Sequence, residues 1–371
     1  MDWRNQITKP SLVVWPERVK NNIRRMKQKA DRDGVRLRPH FKTHQSARVA
    51  RWFREEGGEA ITVSSVKMAL YFASQGWENI TIAFPVNIRE MKDINDLAGR
   101  VQLNLLITSS TVAEFVSENL ENPVGAWIKV DVGYGRTGIP VEEDGKIREL
   151  SRQIDSLPRL DFAGILTHAG QSYHISDRGQ RAALYREVAE RMGLLRKKIL
   201  ADGLERCLVS VGDTPSATAA ESLAGVDELR AGNFVYFDAQ QLHLGSCQEE
   251  DIAAAVVCPV TALHPERGEV LLYGGAIHLS KQAEPHPRIE GQAMHGYVVA
   301  ALAEGWGRID PANYLRSVSQ EHGVARLERS VLEQLKVGDL VCVIPVHSCL
   351  AVDLLDMAIT TDSELFALDF S

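Results

Sequence analysis

The chain has 371 residues, of which 44% are hydrophobic and 25% charged, and its formal net charge is −7. This size suffices for one large core or two unequal ones, and no concentration of lysine and arginine indicates a nucleic-acid or membrane surface. No apolar stretch approaches the length of a membrane span, and five scattered cysteines favour a reducing compartment over a disulfide framework. We therefore expect a soluble cytoplasmic protein that binds neither nucleic acid nor membrane.

From about residue 19 to residue 244, helix patterns alternate with short strand patterns. The strands are predicted at 35–41, 60–64, 80–84, 101–107, 125–131, 161–167, 208–211 and 228–237. The helices are predicted at 46–54, 67–74, 88–97 and 178–200, the last with the clearest helical spacing of apolar residues. Eight strands alternating with helices predict an α/β fold, a (β/α)8 TIM barrel, although a doubly wound sheet would give the same local pattern.

After about residue 245 the helical periodicity fades, and strand patterns are separated by glycine, proline and charged turns. These strands are predicted at 256–261, 269–273, 297–300, 317–320 and 340–345, and residues 8–15 also have strand character. We expect a barrel domain over residues 19–244 and a mostly-β domain formed by residues 1–18 and 245–371.

Lys42 lies between His40 and His44, where the first predicted barrel strand ends. A lysine at the carboxyl end of a barrel strand can point into the active-site cleft and form a Schiff base. A solvated lysine after a strand is the alternative interpretation. The two histidines could orient a substrate carboxylate or a cofactor, and for each of them a surface or core role is equally open.

The two middle strands of the barrel are followed by three further candidates. Strand five is followed by a glycine-rich loop that contains Arg136, and glycine lets the backbone approach a ligand closely. Strand six ends at His168, and Tyr173 follows shortly after it. These side chains are therefore expected at the same mouth of the barrel as Lys42.

The last two barrel strands end in small and hydroxyl residues. Barrel phosphate sites commonly follow strands seven and eight, and a helix amino terminus offers free N–H groups to an anion. We therefore predict that Gly212, Thr214, Gly232 and Asn233 cradle a phosphate monoester. An ordinary capped helix would explain the same residues, and we assign Asp213 to capping because a carboxylate repels phosphate.

His347 and Cys349 form a His-x-Cys pair near the C-terminus. In an extended strand both side chains would point to the same face, and imidazole with thiolate is a ligand pair that suits zinc. Two protein ligands leave coordination positions open, as in a catalytic metal site. Buried packing of the cysteine is the alternative, and the spacing does not identify further ligands.

Taken together, these motifs resemble the pyridoxal-phosphate enzymes of the alanine-racemase-like fold, and within them the D-serine dehydratases and D-threonine aldolases. The resemblance extends over nearly the whole chain, and its most specific parts are residues 39–44, 129–138, 164–173, 210–215 and 347–349. It implies a barrel followed by a β domain. It also implies a head-to-tail homodimer in which each active site lies near the second domain of the partner.

The resemblance implies roles for individual residues. Lys42 would be the Schiff-base lysine, Arg136 the arginine near the cofactor ring, and His347 with Cys349 the metal pair. The other contacts to pyridoxal 5'-phosphate would come from His168, Tyr173, Gly212, Thr214, Gly232 and Asn233.

The metal pair distinguishes activities within the group. Aldolases typically have His-x-Asp there, which suits manganese or magnesium, whereas dehydratases typically have His-x-Cys, whose thiolate selects zinc. Cys349 therefore favours a dehydratase, an ammonia-lyase that converts a β-hydroxy D-amino acid to a 2-oxo acid. D-Serine would give pyruvate and D-threo-3-hydroxyaspartate would give oxaloacetate, and the sequence does not separate the two.

Other activities remain open at this stage. An aldolase would use the same cofactor and a metal to release glycine and an aldehyde. The third alternative is an amino-acid racemase or a non-catalytic carrier of pyridoxal phosphate. The racemase ranks third because racemases of the wider fold lack the metal pair.

Overall fold

The computed structural model describes residues 2–368, and its first part is a ring of parallel strands surrounded by helices. A short strand, β1 (Ser11–Val14), precedes this ring. The strands that follow are β2 (Arg36–Leu37), β3 (Ile61–Val63), β4 (Asn79–Pro85), β5 (Gln102–Ile107), β6 (Val124–Asp131), β7 (Ile139–Pro140), β8 (Leu160–Leu166), β9 (Leu208–Val211) and β10 (Glu228–Leu229). The helices of this part are α1 (Pro16–Arg32), α2 (Ala47–Glu55), α3 (Val66–Ser74), α4 (Met91–Ala98), α5 (Ser110–Asn119), α6 (Asp144–Ser156), α7 (Arg178–Ala201), α8 (Thr214–Ala219) and α9 (Ala239–His243).

Eight of these strands pair in the order β2-β10-β9-β8-β6-β5-β4-β3, and β7 pairs with the end of β6. A parallel bridge between His40 and Thr62 joins the two ends of this order. There the Thr62 amide donates a hydrogen bond of 2.9 Å to the Pro39 carbonyl. The predicted (β/α)8 barrel is confirmed, and the carboxyl ends of its strands meet at one mouth.

The first and last barrel strands are shorter than the sequence predicts. The strand predicted at 35–41 covers only Arg36–Leu37, and a 3-10 turn follows at Phe41–Thr43. The strand predicted at 228–237 covers only Glu228–Leu229, and a 3-10 turn follows at Asn233–Val235. Each turn has a buried phenylalanine, Phe41 or Phe234, and a short run with buried apolar residues does not distinguish a turn from a strand.

The second part of the chain is built from antiparallel strands with three short helices. The strands are β11 (Ala254–His264), β12 (Glu269–Tyr273), β13 (Glu284–Pro285), β14 (Ala293–Met294), β15 (Gly296–Leu302), β16 (Gly305–Trp306), β17 (Tyr314–Val318), β18 (His322–Arg326), β19 (Leu340–Pro345), β20 (Met357–Thr360) and β21 (Leu365–Ala367). The helices are α10 (Ala276–Leu279), α11 (Arg329–Leu332) and α12 (Ser348–Asp353).

The main sheet of this part has the order β12-β18-β17-β15-β19-β11-β1-β20-β21, with β16 added to β15. Because β11 also pairs with β12, six of its strands close into a second, smaller barrel. The N-terminal strand β1 lies between β11 and β20, as its strand character suggested. The predicted mostly-β second domain is confirmed, while the boundaries at residues 18 and 245 stay a prediction. No helix within residues 2–368 is both long and apolar enough to cross a membrane.

Gly164 offers a test of the barrel packing. It lies in β8 with φ near +150°, and an added Cβ would overlap the carbonyl oxygen of Leu208 in the neighbouring strand. We expect Gly164→Ala to lower the free energy of unfolding by more than about 1 kcal/mol, as measured by denaturant unfolding. The matched control is Gly193→Ala in α7, where an added Cβ meets nothing within 4 Å. This control should gain about 0.5–1 kcal/mol in helix stability, and equal losses in both variants would contradict the packing assignment.

Candidate active site

A cavity of about 560 Å³ opens at the carboxyl ends of the barrel strands. It is the place where barrel enzymes gather their functional groups. A larger cavity of about 740 Å³ lies on the outer surface of α7 and contains none of the predicted site residues. The structure instead brings all ten of them to the mouth of the barrel, where they line one cavity: Lys42, Arg136, His168, Tyr173, Gly212, Thr214, Gly232, Asn233, His347 and Cys349.

Lys42 is presented to the cavity by a buried turn. Phe41 and Thr43 on either side of it are fully buried, whereas the Lys42 side chain is exposed. The Phe41 ring packs at 4.9 Å from Phe72 and at 5.1 Å from Trp77, between ring centroids. The buried neighbours anchor the turn, and Lys42 lines the cavity.

The two histidines that flank Lys42 have different environments. His40 lines the cavity, and its pKa is lowered by burial and by the nearby Lys42 cation. His44 is fully buried in the aromatic cluster, and its Nδ1 accepts a hydrogen bond from the Ser46 amide at 3.2 Å. Burial lowers the pKa of His44 to about 3, so this ring is neutral. Of the two roles left open for His44, the structure assigns the core one.

The loop that carries Arg136 is organised by a single carboxylate. Asp131 accepts hydrogen bonds from the amides of Gly133, Tyr134 and Gly135 at 2.9 to 3.0 Å. Gly133 and Gly135 have φ of 104° and 76°, a conformation that other residues rarely adopt. The loop places the Arg136 guanidinium 5.3 Å from the centroid of the Tyr134 ring, at the rim of the cavity.

His168 is held in a defined protonation state. Its Nδ1 forms a hydrogen bond with the Gly212 carbonyl oxygen. A carbonyl oxygen only accepts, so Nδ1 carries the proton and Nε2 is left as an acceptor. Burial, opposed by this hydrogen bond and reinforced by Arg136 and Lys42, lowers the pKa of His168 to about 3. The ring is therefore neutral at any pH near 7.

Two buried cations in the cavity carry no predicted role from the sequence. Arg230 donates to the Ser210 hydroxyl at 2.6 Å and to the Thr167 carbonyl at 2.5 Å, and Lys129 donates to the Val130 carbonyl at 2.9 Å. Burial, together with repulsion from Arg38, lowers the pKa of Arg230 to about 9. Burial, together with repulsion from Arg230 and Arg136, lowers the pKa of Lys129 to about 7. For Lys129, the available signal in the sequence was a charged residue inside an otherwise apolar predicted strand.

The predicted phosphate cradle has an unsatisfied hydroxyl. Thr214 Oγ1 is buried and has no hydrogen-bond partner within the described part of the chain, although the residue lines the cavity. Asp213 caps α8, as predicted, because its carboxylate accepts from the Ser216 amide at 2.7 Å and from the Ser172 hydroxyl at 2.8 Å. A buried hydroxyl that lacks a partner is costly unless a ligand satisfies it. The cradle therefore fits a phosphate group.

The two glycines of the cradle are required by the protein itself. A Cβ on Gly212 would lie 2.9 Å from Arg230, and one on Gly232 would lie 2.6 Å from the His40 carbonyl oxygen. Both glycines therefore let neighbouring strand ends approach closely enough to form the floor of the cavity. Tyr173 lies beside them, accepts a hydrogen bond from the Thr214 amide, and has a pKa raised mainly by burial.

The side chain of Asn233 lies farther from the cradle than predicted. Its Nδ2 donates to the Asp238 carboxylate at 2.6 Å and to the Ser348 hydroxyl at 3.1 Å, and it lies 3.8 Å from Cys349 Sγ. Asn233 therefore faces the predicted metal pair with its side chain. Because the side chain is engaged there, the predicted phosphate contact of Asn233 would have to come from its main chain, and this contact stays a prediction.

The expectation that His347 and Cys349 lie in a strand is wrong. Strand β19 ends at Pro345, His347 is the N-cap residue of α12, and Cys349 lies in the first turn of that helix. The two side chains nevertheless meet, because the His347 backbone is extended, with φ −133° and ψ 106°, and stands outside the helix. They share a hydrogen bond within the cavity.

The pair has the electrostatics of an ion pair. Burial opposes charge on both groups, but the Cys349 thiolate raises the pKa of His347 to about 9. In return, the His347 imidazolium lowers the pKa of Cys349 below its ordinary value despite burial. Thr43, which directly follows Lys42 in the chain, places its hydroxyl 3.2 Å from Cys349 Sγ. The lowered pKa of Cys349 favours the thiolate, which is the form that binds metals.

The donor set fits a soft divalent cation. Imidazole nitrogen and thiolate sulfur are the ligands that zinc prefers. Within residues 2–368 no group of three or more histidine, cysteine, aspartate or glutamate side chains is placed to hold a metal. A zinc ion on His347 and Cys349 would therefore keep positions for water or substrate, as catalytic zinc sites do.

Comparison with known families agrees with this geometry. The family model described as "Alanine racemase, N-terminal domain" matches residues 14–240, which is more than half of the chain. The chain belongs to this family. A second model, described as "Putative serine dehydratase domain", matches residues 253–361. The first match covers the barrel and the second covers most of the β domain, including the metal pair.

Several known proteins are similar over nearly their whole length. D-threo-3-hydroxyaspartate dehydratase from Delftia sp. (strain HT23) is 30% identical over 352 residues, covering 92% of this chain and 90% of the relative. The solved structure of that dehydratase superposes with a TM-score of 0.91 and 28% identity, covering 99% of this chain and 98% of the other. D-Serine dehydratase from Dictyostelium discoideum is 26% identical over 374 residues, covering 93% of this chain and 91% of the relative.

Two further comparisons bear on the choice of activity. D-Threonine aldolase from Arthrobacter sp. is 25% identical over 351 residues, covering 92% of this chain and 86% of the relative. A solved structure of a cysteine-to-alanine mutant of D-threo-3-hydroxyaspartate dehydratase is described as the metal-free form. It superposes with a TM-score of 0.90 and 28% identity, covering 100% of this chain and 99% of the other. The similarity therefore includes both dehydratases and an aldolase.

The Thr214 hydroxyl provides a test of the phosphate cradle. Thr214→Val keeps the shape of the side chain but removes its buried hydroxyl, which has no hydrogen-bond partner among residues 2–368. We expect roughly tenfold weaker binding of pyridoxal phosphate, since a hydrogen bond to a charged group is worth about 1.5–3 kcal/mol. The affinity is measured by titrating cofactor-stripped protein. The matched control is Thr81→Val, which removes an equally unpartnered buried hydroxyl outside the cavity. Undiminished affinity in Thr214→Val would place the phosphate elsewhere.

Proposed function

We propose that the protein is a dehydratase that depends on pyridoxal 5'-phosphate and zinc and removes water, then ammonia, from a β-hydroxy D-amino acid. The single observation that carries this proposal is that Lys42 and the His347–Cys349 pair face one cavity. The dehydratases among the similar proteins support the same reaction.

The residues of the barrel account for the first half of the reaction. Pyridoxal phosphate, when bound, supplies an electron sink that acidifies the proton on the substrate α-carbon. Thr214, Gly212 and Gly232 would hold its phosphate, and Lys42 would attach it and then accept the α-proton as general base. His168 stays neutral and offers Nε2 as an acceptor at the same mouth.

The metal pair accounts for the second half. A β-hydroxyl is a poor leaving group, and a zinc ion supplies a Lewis acid that stabilises the departing oxygen. His347 and Cys349 would hold this ion with two protein bonds, leaving room for the substrate oxygen. The metal-free form described for a cysteine-to-alanine mutant of D-threo-3-hydroxyaspartate dehydratase supports a metal held through cysteine.

The substrate is a β-hydroxy D-amino acid, with D-serine and D-threo-3-hydroxyaspartate as the two candidates. Lys129, Arg136 and Arg230 make the cavity cationic, which suits the carboxylate of either amino acid and the anionic cofactor. The additional carboxylate of D-threo-3-hydroxyaspartate could also coordinate the zinc ion. The resulting products are pyruvate and oxaloacetate, respectively.

We further propose a cytoplasmic homodimer. All five cysteines are buried and unpaired, which supports a reducing compartment. Ile277 on α10, Leu350 on α12 and Leu354 directly after α12 are each exposed by about two fifths. These apolar side chains near the metal pair support a second subunit that covers this face.

A product assay tests the proposed reaction. We expect ammonia and a 2-oxo acid, in equal amounts, from D-serine or from D-threo-3-hydroxyaspartate with zinc present. Lys42→Ala serves as the inactive control, since it removes both the attachment point and the base. Glycine with acetaldehyde from D-threonine would instead identify an aldolase. L-Serine without a 2-oxo acid would identify a racemase, and no turnover with both cofactors bound would identify a carrier.

Substitution of the thiolate tests the metal step. We expect Cys349→Ala to lose zinc and to lower kcat for elimination by roughly a hundredfold or more, since Lewis-acid stabilisation is worth several kcal/mol. The visible absorbance of the bound cofactor should remain. The control is Cys207→Ala, which truncates a buried cysteine outside the cavity. Full activity in Cys349→Ala, together with insensitivity to a chelator, would show that the metal takes no part.

A further inference from the structure

Gln240 in α9 lies between His347 and a carboxylate of the β domain. Its Oε1 is 3.3 Å from His347 Nδ1, and its Nε2 donates a hydrogen bond of 2.7 Å to Glu284 in β13. The three side chains therefore form a chain that runs from the metal pair to the short β13–β14 hairpin.

The carboxylate at the end of this chain fixes the direction of every hydrogen bond in it. An ionised carboxylate only accepts, so Glu284 requires the NH₂ group of Gln240 on its side. The amide oxygen of Gln240 must then face His347. Because that oxygen only accepts, His347 Nδ1 must carry a proton and donate it.

This direction matters because a histidine that ligates a metal must leave one ring nitrogen without a proton. With Nδ1 engaged as a donor to Gln240, only Nε2 of His347 is available for a metal. Hydrogen-bond partners of this kind also orient the ring and raise its basicity as a ligand.

The backbone reinforces the arrangement. The backbone N–H of Gln240 donates to the Val346 carbonyl at 3.2 Å, and the backbone N–H of Val346 donates to the His295 carbonyl at 3.4 Å. His295 Nδ1 in turn contacts the Gln282 carbonyl at 3.0 Å, within the segment that leads to Glu284. Val346, the residue before His347, is thus bound to α9 and to the segment next to the β13–β14 hairpin. The side chain of His347 is linked to α9 and to the same hairpin.

We propose that Gln240 and Glu284 are positioning residues that set the tautomer and orientation of His347 for zinc. The inference rests on the proposed metal role of His347 and adds two residues that the sequence motifs did not indicate. Neither residue lines the cavity, so they act on the substrate only through the metal ligand.

The test measures zinc affinity of the full chain, with its cofactor bound, by competition with a chromophoric chelator. We expect Gln240→Leu to weaken zinc binding roughly 10- to 100-fold, the usual effect of removing such a partner. Gln240→Glu alone should also weaken it, because two carboxylates would then face each other. The double variant Gln240→Glu with Glu284→Gln should restore it, because donor and acceptor exchange places while His347 keeps its acceptor.

The control is Glu290→Gln, which makes the same chemical change at an exposed position of the same hairpin and should leave zinc affinity unaltered. Rescue by the double variant supports positioning, since a merely structural role would not be recovered by exchanging the two groups. Unaltered zinc affinity in Gln240→Leu, or no recovery in the double variant, would overturn the inference. Absence of zinc binding by the unsubstituted chain would instead refute the proposed function.

Discussion

The carboxylate of Asp238 is the interaction on which the geometry of the site depends. This side chain is fully buried and accepts hydrogen bonds from Asn233 Nδ2 at 2.6 Å, the Ser348 amide at 2.9 Å and the Gln241 amide at 2.9 Å. A buried carboxylate is tolerated only when its hydrogen bonds are satisfied. Asp238 therefore fixes the end of the last barrel strand, α9 and α12 relative to one another.

This junction sets where the two chemical halves of the site meet. Lys42 comes from the barrel, and His347 and Cys349 come from the β domain, so their separation depends on how the domains pack. The Thr43 hydroxyl, 3.2 Å from Cys349 Sγ, ties the turn of Lys42 to the first turn of α12. The proposed base for the α-carbon and the proposed metal for the neighbouring oxygen would need this closeness, because the two atoms belong to one substrate.

Much of the site could be predicted from the sequence because functional residues of a parallel barrel follow the carboxyl ends of its strands. Lys42, Arg136, His168 and Thr214 all follow strands of a parallel barrel, whose carboxyl ends must converge. The local structure of His347 and Cys349 could not be predicted in this way. A His-x-Cys spacing brings side chains together in a strand, but also across a helix start when the first residue is an extended cap. The partners of His347, such as Gln240, come from other elements and leave no local pattern.

The cations of the cavity link the fold to its expected ligand. Burial and repulsion from neighbouring cations lower the pKa of Lys129 to about 7 and that of Arg230 to about 9, and Asp131 opposes the effect on Lys129 only in part. The folded chain thus carries an electrostatic cost at its active site. An anion bound among these groups offsets that cost and raises both pKa values toward their ordinary range, because proton and anion binding are linked. A phosphorylated cofactor would therefore stabilise the barrel that binds it, and the Thr214 hydroxyl, which has no hydrogen-bond partner within residues 2–368, would be free to bind its phosphate.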